Sequence, residues 1–161
     1  RDGSGRFVPL REQDILLWDR ERIALGENLL RHAARSGTLG RYQLEAAIQS
    51  AHITTRLTGH DDPAGMLALY EGLLRVAPSI GAQVAHAAAF SMVYNADQAL
   101  ALLAALDPSI TANYQAYHAL RADLFHRSGR PAEAREAYQR AIGLSDDPAV
   151  RSYLLERMDR S

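Results

Sequence analysis

Six histidines in a chain without cysteine are the side chains here best able to do chemistry. The sharpest pairing is His60-Asp61. In an all-helical protein, a His-Asp pair completed by His32 or His52 is the ligand set of a metal-dependent phosphohydrolase. The same residues have a plainer reading. Asp62 and Pro63 follow at once as an N-cap and a first helical residue, and the string DDPA recurs from Asp146 to Ala149 without a histidine, which favours capping over metal binding. His118 and His126 stand two helical turns apart on one helix, too far to share one ion. No HExxH, Walker, GxSxG or EF-hand string is present. The expectation is therefore a protein with no catalytic residues, no cofactor and no metal, whose polar side chains serve packing and recognition.

The elements that would position these residues are helices. With 47% hydrophobic and 23% charged residues over 161 positions, the chain can close one continuous core, and a single helical domain spanning 1–161 is the expectation. Apolar residues recur at helical spacing from about Leu10 onward, interrupted by short Gly, Pro, Asn and Asp punctuation. About eight helices follow. The first runs from Arg11 to Ser36 with Ile15, Trp18, Leu25, Leu29 and Ala33 on its apolar stripe, Gly26 as a point of bending and Gly37 as its stop. The second covers Arg41 to Leu57, and the third opens at Pro63. The fourth lies between Ile80 and Tyr94. The fifth starts from an Asn95–Gln98 capping box and ends near Leu106. The sixth spans Ala112 to Ser128, the seventh Pro131 to Leu144, and the last follows Asp146 and carries Val150, Leu154 and Met158 on its apolar stripe.

A period of about 34 residues with two helices per unit marks tetratricopeptide architecture, and the clearest such unit covers 115–148. Ala122, Phe125, Gly129, Ala134, Tyr138 and Ala141 alternate small, aromatic and turn residues, which lets two helices approach closely. Tyr70, Leu100 and Tyr138 share a phase, each eight residues before Pro78, Pro108 and Asp146. The predicted fold is all-α: tetratricopeptide-like hairpins in a right-handed solenoid-like bundle, with an N-terminal helical pair over 11–58 and degenerate repeats over 62–161.

Three stretches carry a family resemblance. QDILLWDRERIALGENLL places Gln13, Asp14, Trp18, Asp19, Ile23 and Gly26 in one pattern. YQLEAAIQSAH begins at Tyr42 and Gln43 and ends at His52. YHALRADLFHRSGRPAEAREAYQRAIGL contains Tyr117, His118, Arg121 and Asp123. Together they resemble extracytoplasmic-function sigma factors that carry a long C-terminal extension of tetratricopeptide-like helices. The chain departs from that pattern at HDDPAGM, where the family shows Thr-Asp-Trp, and at Ala85-His86, where it shows Asn-Arg.

The resemblance implies a role in transcription initiation. The sigma regions, absent from this chain, would bind core RNA polymerase and the promoter, while this extension would modulate them or dock a regulatory protein. An opening without an initiator Met fits a fragment of a longer product.

A formal charge of −1 argues against direct DNA binding by this part, since duplex binding releases counterions to a basic patch. All 18 basic residues are Arg, and those at 121, 127, 130, 135 and 140 are interleaved with Asp123, Glu133 and Glu136, which predicts a mixed solvated surface. No apolar run is long enough for a membrane span or a signal peptide, so a cytoplasmic location is expected. The candidate interaction or inter-repeat residues are Gln13, Asp14, Trp18, Asp19, Tyr42, Gln43, His52, Tyr117, His118, Arg121 and Asp123. An internal polar network between helices is the favoured role for the polar members in the helices, because polar groups near a core must find partners. Trp18 reads as a core residue of the first helix, with a partner anchor as the other reading. A free-standing scaffold of the same architecture is the competing function, and the phosphohydrolase the distant one.

Overall fold

The computed structural model describes residues 1–160, and every regular element among them is helical. Nine α-helices follow two single 3-10 turns at Leu10–Glu12 and Ile15–Leu17: α1 (Arg20–Ala34), α2 (Arg41–Thr58), α3 (Pro63–Val76), α4 (Ile80–Val93), α5 (Ala96–Ala104), α6 (Pro108–Thr111), α7 (Gln115–Arg127), α8 (Pro131–Gly143) and α9 (Pro148–Asp159). The protein is all-α.

Helix starts follow the capping chemistry of the sequence. Asp62 accepts from the Gly65 amide at 2.8 Å, Asn95 from Gln98 at 2.9 Å and Asp147 from Ala149 at 2.9 Å, each supplying a donor with the acceptor that a helix start lacks. Gly129, at φ +69°, ends α7 in a left-handed turn whose Arg130 amide reaches back to the Phe125 carbonyl at 2.9 Å. Pro131 then opens α8 where no amide is needed.

Two of the predicted helices differ from the sequence reading. The first helix does not run from Arg11. Asp14 caps the second 3-10 turn through the Leu16 amide, Trp18 is extended, and Asp19 restarts the chain as the N-cap of α1 through the Arg22 amide at 3.0 Å. Two short acidic side chains that read as helix interior are caps, and they break the helix. α1 then runs unbroken through Gly26. The predicted sixth helix, Ala112 to Ser128, begins later, as α7 at Gln115, and is preceded by a short helix that the sequence reading did not include. α6 forms a separate turn capped by Asp107, and the Ala112 carbonyl is taken by the His118 ring at 3.1 Å and Arg140 at 3.0 Å before α7 begins at Gln115.

Two apolar clusters hold the helices. The larger joins α4, α5, α7, α8 and α9. Ala99, Leu103, Ala122, Leu124, Ala134 and Ala141 are wholly buried in it, with Tyr138 and Phe125 filling the space that the alanines leave. The smaller consists of Leu44 and Ile48 of α2 with Leu73 of α3 and Ala82 of α4. The core of α2 is therefore shared with α3 and α4. α1 packs on α2 with no buried residue at all.

Candidate protein interface and groove

The sequence-predicted residues fall into two groups along the chain, one in the N-terminal segment with α1 and α2 and one in α7. In the first group, Gln43 ties α2 to its neighbour: its Oε1 accepts from the Gly40 amide at 2.8 Å and its Nε2 donates to the Ala33 carbonyl at 2.7 Å. Gln13 donates to the Val8 carbonyl at 3.3 Å, and its own carbonyl accepts from Arg56 at 2.8 Å. Asp14 and Asp19 are caps, and Asp19 also pairs with Arg22 at 3.0 Å. Tyr42 is 80% exposed, with the Arg41 guanidinium 5.8 Å from its ring centroid. Trp18 is half-buried outside any helix, in a cleft of about 930 Å³ between the N-terminal segment and α9. It is not the core residue of a first helix, because the helix breaks before it.

In α7, Tyr117 and His118 are buried and meet edge to face at 5.1 Å. Arg121 lies over Tyr117 at 5.5 Å and Phe125 at 5.2 Å. Asp123 accepts from Arg157 at 3.1 Å and lies 3.5 Å from Arg127. Arg127 in turn donates to the hydroxyl and carbonyl of the buried Ser91 at 3.0 and 2.9 Å. Asp123 thus links α4, α7 and α9, and several arginines that read as solvated surface are engaged. His52 joins neither group by hydrogen bonding. It is half-buried on α2, lining a groove that Asp123 also lines from α7. His60 and Asp61 are exposed, and no cluster of three or more His, Asp or Glu side chains able to hold a metal ion occurs among the described residues.

Burial lowers the pKa of both His52 and His118. Arg11 adds to the effect at His52 against Asp61, while at His118 the Ala112 and Thr111 carbonyls oppose burial and the Arg121 and Arg140 charges reinforce it. A lowered imidazole pKa means that the folded chain binds fewer protons than the unfolded one below about pH 6.5, so folding stability falls as pH drops through that value. Urea unfolding midpoints should decline between about pH 7 and pH 5, and His118→Gln should flatten part of that slope. The carboxylates held low by hydrogen bonds, Asp107, Asp147 and Glu133, keep their contribution across this window and lose it only in stronger acid. An unchanged midpoint would contradict the assignment of neutral, buried imidazoles.

The feature that sequence reasoning missed is a free apolar face. Leu25 and Leu29 are 59% and 62% exposed, and Leu16, Leu17, Leu39 and Tyr42 are more exposed still. Periodicity places Leu25 and Leu29 on an apolar stripe, but α2 covers the neighbouring one, on which Ile23, Glu27, Leu30 and Ala33 are the half-buried residues. The helices of this chain leave these side chains to solvent.

Comparison with known proteins finds similarity to an uncharacterized protein of Rhizobium meliloti (strain 1021), 32% identical over 158 residues, which is 98% of this chain and 37% of the relative. The chain thus spans little more than a third of the length of the curated relative it matches. No family model matches the chain, and no solved structure matches it. No helix among the described residues is long and apolar enough to cross a membrane.

Proposed function

We propose that this chain is the C-terminal protein-docking and regulatory module of an extracytoplasmic-function sigma factor, working in the cytoplasm without catalysis, cofactor or direct DNA contact. Its partners are the sigma regions of the same polypeptide, engaged with core RNA polymerase. The carrying observation is the exposed apolar face of α1. No residue of the family-like stretch Gln13 to Leu30 is buried: Gln13, Asp14 and Asp19 are used within this chain as hydrogen-bonding partners and caps, whereas Leu25 and Leu29 are left exposed. Apolar side chains left outside the core are accounted for by a second surface laid against them. The relative carries further sequence outside the matched stretch, as a module joined to other regions would.

Deleting residues 1–161 from a polypeptide that carries sigma regions in frame should change promoter-dependent transcription several-fold while the sigma regions keep their helical circular dichroism and cooperative unfolding. Unchanged transcription would overturn the regulatory role.

A further inference from the structure

Between the N-terminal segment and helices α2, α3, α4 and α7 lies a groove of about 530 Å³, within the size range of small-ligand pockets, roughly 300–1,000 Å³. Its floor is apolar: Met66 of α3 with Ala88, Ala89 and Met92 of α4. Around that floor stand polar groups without partners. The Arg56 Nε is buried with no hydrogen bond, while the other end of the same guanidinium is fixed to the Gln13 carbonyl at 2.8 Å. Arg11, His52 and the Tyr70 hydroxyl also line the groove, and none of them makes a hydrogen bond or an ion pair within the described residues.

Among the described residues the one other buried side-chain polar atom without a partner is Ser128 Oγ, at the end of α7. Across the same groove Asp123, Arg127 and Ser91 satisfy one another. A buried guanidinium nitrogen left bare costs stability unless something completes it. The lining holds three guanidinium groups, Arg11, Arg56 and Arg127, against two carboxylates, Asp61 and Asp123, one positive charge in excess on a chain whose net charge is −1.

We propose that this groove binds a small amphiphilic carboxylate, its apolar body over Met66, Ala88 and Met92 and its carboxylate on Arg56 and Arg11. A carboxylate meets the Arg11 and Arg56 guanidinium groups that line the groove, offers lone pairs to the Tyr70 hydroxyl and offsets the excess charge. Its aliphatic or aromatic body meets a floor with no hydrogen-bonding demand of its own. Bound there, the ligand also fixes Leu10 and Arg11 against α2, and so fixes the segment that leads into α1. This inference is independent of the sigma-factor assignment.

Titration calorimetry of the chain with octanoate tests it, with octan-1-ol and octylamine as neutral and cationic counterparts. Octanoate is expected to bind saturably, one per chain, with octan-1-ol weaker by about tenfold, the scale of one charged hydrogen bond, and octylamine not binding. Arg56→Gln should weaken octanoate by a similar factor. Arg11→Gln, at an exposed side chain whose loss cannot unfold the protein, should weaken it measurably, and Ala88→Phe should abolish it by filling the floor. No saturable binding of octanoate at millimolar concentration would overturn the proposal. So would octan-1-ol binding as tightly, or equal affinity in Arg11→Gln and Ala88→Phe.

Discussion

Leu124→Ala is expected to lower the stability of the chain by about 3 kcal/mol, within the 2–5 kcal/mol that buried leucines lose, whereas Leu29→Ala is expected to change it by less than about 0.5 kcal/mol. Both leucines sit at helical spacing among apolar neighbours. Leu124 is 0% exposed in the larger cluster, while Leu29 is 62% exposed on the outer side of α1. The substitution removes the same atoms in both cases. What differs is whether a cavity opens behind them, so the contrast measures directly which leucines belong to this chain's core. Denaturant midpoints at constant m-value would read it, and equal losses at the two sites would mean that α1 is packed far more tightly than described.

Much of the fold was legible in the sequence because its punctuation has local causes. Pro63, Pro131 and Pro148 open helices where the missing amide costs nothing, Asp62, Asn95 and Asp147 cap them, and Gly59 and Gly129 close them with positive φ. The alternation of alanine with aromatic side chains in α7 and α8 identifies residues that are in fact buried. The break before α1 was not legible, since Asp14 and Asp19 have the same composition whether they sit inside a helix or cap it, and only the backbone direction at Trp18 decides.

Periodicity also hid the main surface feature. A stripe containing Leu25 and Leu29 shows that α1 is amphipathic, but not what lies over each part of it. The groove was half visible: His52 and Asp123 stood out as polar residues on apolar helices. Arg56, Arg127 and Ser91 carried no signal, because their partners lie 43 and 36 residues away along the chain.

The second large effect concerns that free face. Replacing Leu25 and Leu29 together with Asp should leave thermal unfolding nearly unchanged, since both side chains already face solvent and surface substitutions move stability by about 0.5 kcal/mol or less. Against a partner the same change is severe. Each carboxylate would have to enter an apolar contact without a counter-charge, at a cost of about 1.5 kcal/mol or more. Two such sites reduce affinity by about a hundredfold or more. An Asp substitution of comparable exposure at Ile110, away from α1, should not do so.

The direct test is therefore an affinity titration, by fluorescence anisotropy, of separately produced sigma regions onto this chain and onto the Leu25→Asp, Leu29→Asp variant, with circular dichroism confirming that both are folded. Saturable binding to the natural chain, lost by about a hundredfold in the variant, is the predicted result. Absence of binding to the natural chain, or equal binding to both, would contradict the assignment of α1 as the docking face.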